Sequence, residues 1–501
     1  MTPDDLLAAL DLPAKLRLIT GSGVWSTAAL PEIGLREMHL SDGPVGVRGW
    51  VEDERNTSAN LPSPTALAAS WDEVLLERIG AFLAAEAVAK DVDVVLGPTI
   101  NLQRAPYGGR HFECYSEDPV LSGRLAAAYV RGLQRNGVAA CPKHYVGNDS
   151  ETERMTLDAR IDERTLREVY LAPFEHVVRT AQPWTIMAAY NGVNGAPMTE
   201  NPLLDDPLRA EWGFDGAVVS DWMAVYSTVA SAGAGTDLAM PGPWALWAEP
   251  LAKAVASGEV PVAAIDAKVR NLLRLAGRVG ALKDVERAAP VPSANDGDTI
   301  AALAREAATA GMVLLRNQGN VLPLAGDATV ALIGPGSRDP RTQGGGSATV
   351  FPPYAVSPEA GLRAVLGDRL IQADGAHLRA GLRPVTRDEL HDARLTWLDA
   401  DGQVVDSEPA STAVIVRSPR TVPAGGATFE LRSRFRARGK GNWRFGTFGA
   451  GTVQISVDGG PSATESAVVD PLDIHRVIME PPQVAVSVPL EAGEENGLTA
   501  R

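Results

Sequence analysis

The 501-residue sequence predicts an α/β protein in three stretches. Residues 1–290 read as a (β/α) barrel, 299–390 as the first part of a second α/β domain, and 391–501 as a β-sandwich. Three observations carry this. Up to about residue 290, short apolar runs alternate with longer amphipathic ones. The alternation restarts after a break rich in Pro and small polar residues. From about residue 393 apolar side chains recur at every second position instead.

In the first stretch the short runs are Val94-Val95-Leu96, Val138-Ala139-Ala140-Cys141, Thr185-Ile186-Met187-Ala188-Ala189, Ala217-Val218-Val219 and Asp237-Leu238-Ala239-Met240. Strands buried on both faces read as continuous apolar runs of this kind. The clearest helix between them opens at Asp162, a good N-cap, and continues through Leu166, Val169, Tyr170, Phe174, Val177 and Val178 on one face. Strand–helix–strand alternation over this length suggests a TIM-type barrel more than an open sheet. Each run ends abruptly in Gly97-Pro98, Lys143-His144, Tyr190-Asn191 or Ser220-Asp221. In such a barrel the carboxyl ends of the strands open onto the active-site face. An open doubly wound sheet also collects polar residues at its strand ends, so the pattern points to a site more firmly than to closure.

Residues 286–298 read as a linker. A helix near 299–312, a strand at Val330-Ala331-Leu332-Ile333, a Gly-rich loop and a helix near 357–366 make the second α/β unit. Beyond it, Phe429, Leu431, Ser433 and Phe435 alternate with Glu430, Arg432, Arg434 and Arg436, and Val453, Ile455 and Val457 alternate with Gln454, Ser456 and Asp458. A strand-like run follows at Val484 to Val488. Such strands with frequent turns predict a β-sandwich.

The formal charge is 46 − 62 = −16. That balance argues against nucleic acid, which needs clustered Lys and Arg, and against an anionic membrane surface. No apolar stretch approaches the ~20 residues that span a bilayer. The first residues lack a basic segment followed by an apolar one, so no signal peptide is visible and a cytoplasmic location is expected. Cys114 and Cys141 cannot build a disulfide framework and read as buried free thiols.

The most informative stretch is Phe214-Asp215-Gly216-Ala217-Val218-Val219-Ser220-Asp221-Trp222. A carboxylate at a strand end, followed by an aromatic wall, suits attack at a sugar carbon. On spacing alone an ordinary strand-end Asp capping the next helix is the plainer reading. Four further clusters shift the balance. Ser41-Asp42-Gly43-Pro44-Val45-Gly46-Val47-Arg48 sets an acid and a base around a tight turn. Arg104 to Glu113 gives two arginines and a carboxylate on a Gly-flexed loop. Lys143-His144-Tyr145-Val146-Gly147-Asn148 starts at a strand end and is followed by Glu151 and Arg154. Tyr190-Asn191 ends another strand. Together they set Asp, Arg, Lys, His and Tyr on one rim. Polyhydroxylated ligands need that mixture, because carboxylates accept from hydroxyl pairs, cations donate and aromatics cover C–H faces.

This combination resembles glycoside hydrolase family 3, the β-glucosidase-like group. The matching segments are SDGPVGVRG (41–49), LAASWD (67–72), LGPTIN…GGRHFECYSEDP (96–119), KHYVGNDSETER (143–154), MAAYNGVNG (187–195), GFDGAVVSDW (213–222) and AGTDLAMPG (234–242). The resemblance implies that Asp221 is the catalytic nucleophile and that Asp42 binds the sugar's far hydroxyls. Arg48, Arg110, Lys143, His144, Arg154 and Tyr190 would line the same subsite, with Trp222 packing beside it. Nearby cations would favour ionised Asp221. Val321-Leu322-Pro323-Leu324 resembles the family's second domain, an α/β sandwich. Its loop Gln343 to Ala348 would lean over the rim, with Ser347 as a substrate contact. The segment 391–501 resembles the protective-antigen-type β-sandwich that some members insert into that domain.

A retaining glycosidase needs two carboxyl groups about 5–5.5 Å apart. In members with this layout the acid/base Glu lies beyond the inserted sandwich. The resemblance therefore implies a C-terminally truncated chain that lacks the acid/base, paired with a complementing C-terminal fragment or present as a homo-oligomer. The His acid/base of the N-acetylglucosaminidase branch does not fit, because the loop from Lys143 to Asp149 lacks the second His. The expected activity is release of a terminal β-linked sugar through a covalent glycosyl-Asp intermediate, from a β-glucoside or related oligosaccharide. The alternative is a catalytically silent sugar-binding protein or a relic without the acid/base. No metal or redox cofactor is implied, and the exact sugar is left open.

Overall fold

The apolar runs become short parallel strands: β1 (Leu40–Asp42), β2 (Val94–Leu96) and β3 (Ala139–Ala140) pair in that order, and β4 (Thr185–Ala188) pairs with β5 (Ala217–Ser220). Every residue of the five is buried, which is why they read as continuous apolar runs. Single parallel bridges join Tyr145 to Ala188, Val219 to Leu238 and Thr20 to Ala239. The expected strand at 237–240 makes only such bridges, although Leu238 and Ala239 are hydrogen-bonded through their backbones to Val218 and Ile19. The Asp237 carboxylate also takes the Val218 N–H, at 2.7 Å.

This computed structural model describes the chain except residues 1, 243–245, 288–296, 377–381, 383–384, 386–388, 419, 438, 450 and 467–482. Most of the expected linker at 286–298 therefore lies outside the described residues. The chain divides into two units. One comprises Met1–Trp50, Asn56–Leu322 and Thr342–Tyr354; the other comprises Val51–Arg55, Pro323–Arg341 and Ala355–Arg501.

In the first unit, helices Glu73–Ala89 and Pro119–Gln134 start at Asp72 and Asp118, whose carboxylates accept backbone N–H groups of the first turn. The two helices touch where Gly132 lies against the backbone; a Cβ there would sit 2.2 Å from the Glu77 carbonyl oxygen. The helix expected from Asp162 is capped as expected, with Thr165 N–H donating to Asp162 at 3.1 Å. It is not one regular helix. A π-turn (Leu166–Tyr170) separates Glu163–Thr165 from Ala172–Ala181. Pro173 has no N–H to give to Val169, so the regular bonding pattern cannot run through. Its apolar face, with Leu166, Phe174, Val177 and Val178, is buried as the spacing requires. Helix Gly297–Ala310 sends Leu303 and Ala307 into the same core.

In the second unit β6 (Val330–Ile333) pairs in parallel with β7 (Leu370–Ala373), and helix Pro358–Leu366 is capped by Ser357. Among the described residues eight strands follow: β8 (His391–Leu398), β9 (Val404–Pro409), β10 (Thr428–Arg436), β11 (Gly441–Phe448), β12 (Thr452–Val457), β13 (Ser462–Ser466), β14 (Gln483–Leu490) and β15 (Glu495–Ala500). One antiparallel sheet runs β9-β8-β10-β15-β12-β13, and β11 pairs with β14. Phe435, Phe445, Val453, Ile455, Val457, Val484 and Val486 form their shared core. The alternation holds in β12 and along β10 from Leu431 to Arg436, and breaks at Glu430. Glu430, expected to face solvent, is only 2% exposed and pairs with Arg432 and Arg501, while Phe429 and Leu431 are half-buried. Arg417 is also buried and meets Asp53, Glu54 and Glu408. Among the described residues no helix is long and apolar enough to cross a membrane.

Candidate active site

The first unit gathers its charged residues where the parallel strands end. Asp42 closes β1, and Gly43 turns the chain at φ +148°, where a Cβ would lie 2.1 Å from the Gly46 carbonyl oxygen. Arg48 N–H returns to the Asp42 carbonyl at 3.0 Å. The buried Glu86 accepts the Val47 and Ala59 N–H groups, both at 2.7 Å, and so anchors this turn to helix Glu73–Ala89. Arg48 lies over the Trp25 ring at 5.4 Å and donates to the Ser347 carbonyl at 3.4 Å. The Ser347 hydroxyl lies against the Asp42 carboxylate although Ser347 itself is exposed.

Lys143, just beyond β3, bonds to Asp42 at 2.6 Å with both side chains buried. Burial pushes the Asp42 carboxyl up, but Lys143, Ser347 and Arg48 outweigh it and hold it below its ordinary value. Burial likewise works against the Lys143 ammonium, and Asp42 and Glu113 hold it above its ordinary value. Arg110 binds Glu113 through Nε, lies 3.7 Å from Glu151, and sends Nη2 to His144 Nε2 at 3.1 Å. Glu113 also accepts from Thr99 at 3.0 Å. Arg154 donates to Glu151 at 2.5 Å and lies over the Tyr190 ring at 4.6 Å.

Asp221 follows β5 directly. Its N–H bonds to the Ala188 carbonyl at 3.0 Å, which ties it to the end of β4. Its Oδ1 accepts the Trp222 N–H at 2.8 Å. Its Oδ2 is buried, makes no hydrogen bond, and lies 3.5 Å from His144 Nε2. That contact is not an ion pair, because burial and the charges of Arg110, Lys143 and Arg154 push the imidazole well below its ordinary value. The Tyr190 hydroxyl lies against the same carboxyl group. The cations do favour ionised Asp221, but burial outweighs them and its net shift is upward. Trp222 donates its indole N–H to Val24 at 2.7 Å and packs on Trp25, ring to ring at 5.0 Å.

Every residue expected in the subsite therefore belongs to one cluster. Arg104 does not join it and lies over Tyr170 at 5.9 Å. The sequence reading assigned no place to Asn101, Glu86 or Trp25. Asn101 had one signal, a polar residue shortly after the end of β2. Cys114 and Cys141 are buried and unpaired, and burial pushes the Cys141 thiol up to about 12. Among the described residues no group of three His, Cys, Asp or Glu side chains is placed to hold a metal ion.

These features define an α/β protein with a charged site at the carboxyl ends of its parallel strands. Residues 43–275 match the profile of the glycosyl hydrolase family 3 N terminal domain, and residues 312–469 that of the family's C-terminal domain. A β-glucosidase of Rhizobium radiobacter is 39% identical over 472 residues, which cover 91% of this chain and 56% of that protein. Beta-glucosidase B of Emericella nidulans is 38% identical over 479 residues, covering 91% and 55%. Among solved structures, a β-glucosidase from Kluyveromyces marxianus in complex with glucose superposes with a TM-score of 0.88 at 28% identity, covering 99% of this chain and 63% of that one. The chain belongs to glycosyl hydrolase family 3. It spans about half the length of the curated relatives it matches.

Proposed function

We propose that this chain carries the sugar-binding and nucleophilic half of a retaining β-glucoside hydrolase. The single observation that carries the reading is Asp221 Oδ2, a buried carboxylate oxygen with no hydrogen-bond partner, set among Arg110, His144 and Tyr190. Asp42, Arg48, Arg110, Lys143, His144, Arg154, Tyr190 and Ser347 bind the sugar hydroxyls, and Trp222 covers an apolar face. In the first step Oδ2 attacks the anomeric carbon as the bond to the leaving oxygen breaks and that oxygen takes the electron pair. In the second, water attacks the anomeric carbon of the glycosyl ester, gives up one proton to solvent, and Asp221 leaves as carboxylate.

On this reading the acid/base is none of the cation-paired carboxylates of the cluster. Asp42 is engaged by Lys143, Glu113 by Arg110, and Glu151 by Arg154. A carboxylate tied to a cation is a poor proton donor. Activated aryl glucosides need little protonation of the leaving group, so they are turned over, while disaccharides are cleaved poorly.

The parallel bridges from Thr20 through Ala239, β5 and β4 to Tyr145 support a (β/α) barrel for the first unit. The shared core of β10, β11, β12 and β14 supports a protective-antigen-type sandwich inserted after β6 and β7. The two free thiols support a reducing, cytoplasmic location.

The test is trapping with a fluorinated slow-turnover β-glucoside followed by peptide mass mapping. The label is expected on the peptide containing Asp221, and Asp221→Asn is expected to remove it and to cut nitrophenol release from an aryl β-glucoside by about a thousandfold or more. Labelling of another peptide, or unchanged turnover by the variant, overturns the assignment.

A further inference from the structure

Asn101 spends its whole carboxamide on one residue. Its Oδ1 accepts the His144 backbone N–H at 2.8 Å, and its Nδ2 donates to the His144 carbonyl at 2.9 Å. A backbone N–H only donates and a carbonyl only accepts, so these two bonds fix which end of the amide is oxygen. The same Oδ1 lies 2.9 Å from His144 Nδ1. Nδ1 must therefore carry a hydrogen. On the other side of the ring, Arg110 Nη2 lies 3.1 Å from Nε2. A guanidinium has no acceptor, so Nε2 must offer a lone pair. The two constraints come from different residues and agree on the neutral Nδ1–H tautomer.

The consequence falls on Asp221. An Nε2–H pointing at Oδ2, 3.5 Å away, would draw electron density from the oxygen meant to attack. A bare Nε2, its lone pair held by Arg110, leaves that oxygen unquenched. We propose that Asn101 is a positioning residue that locks His144 as the Nδ1–H tautomer and so prevents the imidazole from donating a hydrogen bond to the attacking oxygen of Asp221. This rests on the hydrolase reading for its catalytic consequence, but not for the tautomer itself. The charged groups facing the ring are Arg110, Lys143, Arg154 and Asp221. The three cations oppose imidazolium in the native protein.

Two measurements on the full chain test it. Histidine ¹⁵N NMR, with the His144 signals identified by their loss in His144→Gln, is expected to show protonated Nδ1 and bare Nε2 between pH 5 and 8, with no turnover required. A protonated Nε2 in that range overturns the proposal even if the enzyme is active. Asn101→Asp keeps an acceptor at Nδ1 but adds a charge that favours imidazolium, whose Nε2–H can then reach Asp221. The acid limb of kcat/KM for an aryl β-glucoside is expected to move up by a pH unit or more, with recovery to within about threefold of wild type at alkaline pH, where the ring is neutral again. A uniform loss at every pH, or an unmoved limb, would mean that Asn101 only braces the loop.

Discussion

Each unit buries an arginine among carboxylates, and the two arginines end differently. Arg417, in the β-rich unit, meets Asp53, Glu54 and Glu408, and Arg55 adds a second cation to Asp53 and Glu408. Arg110, in the strand-end cluster, meets Glu113 and Glu151 but also a neutral imidazole nitrogen, with Asp221 Oδ2 beyond it unbonded. In the first case the charges answer one another. In the second a buried carboxylate oxygen lies beside a neutral imidazole rather than a cation of its own. What distinguishes the two clusters is that one ends in charge pairs and the other sets a carboxylate oxygen beside a neutral imidazole.

Replacing each arginine by Met separates the two. On the proposed function Arg110→Met removes a donor to the sugar and is expected to lower kcat/KM on an aryl β-glucoside by about 10²–10³-fold. Arg417→Met leaves three carboxylates without their central cation and is expected to destabilise the protein by about 3–5 kcal/mol, seen as a lower Tm. Its kcat/KM per folded molecule is expected to stay within about threefold of wild type. If Arg417→Met costs as much activity as Arg110→Met, the contrast between brace and site is lost.

The next effect is a pH dependence. Burial raises Asp221 while Lys143 and its neighbours lower Asp42. As pH falls, Asp221 takes up its proton first and loses its nucleophilicity. The acid limb of kcat/KM in the free enzyme is therefore expected above the ordinary Asp value of about 3.9. A limb at or below that value would show that Arg110 and Lys143 outweigh burial after all.

The strands and the rim were readable because burial on both faces writes itself as an unbroken apolar run, and each run stops at the residue that turns toward the site. Ser220-Asp221 and Lys143-His144 are of this kind. Asn101 and Glu86 were not readable. Their role lies in hydrogen bonds to the backbone of residues more than 25 positions away, and nothing local in the chain marks such a partner. The break at Leu166–Tyr170 was present in the sequence as Pro173, but the apolar spacing runs through it unchanged. Glu430 misled for the opposite reason. Alternation puts charges outward, but Glu430 is covered by two arginines, and one of them, Arg501, lies 71 positions along the chain (501 − 430 = 71).

The smallest expected effect concerns a carboxylate of the same rim that has no buried cation against it. Asp149 accepts the Leu102 N–H at 3.2 Å, and burial pushes it up to about 6 despite that bond and the charges of Arg104 and His111. Its folded value lies above its unfolded one. Between roughly pH 4 and pH 6 the folded protein thus holds the proton more tightly, and its stability falls as pH rises through that window. Asp149→Asn keeps an oxygen for Leu102 and removes the ionisation. The variant is expected to match wild type in Tm near pH 4 and to exceed it by about 2–4 °C at pH 7.5. Asp42, whose shift is downward, predicts the reverse, because Asp42→Asn would strand the Lys143 ammonium and lower Tm at pH 7.5. Thermal melts of both variants at the two pH values decide whether a paired cation, rather than depth of burial, sets the sign at each carboxylate of this rim.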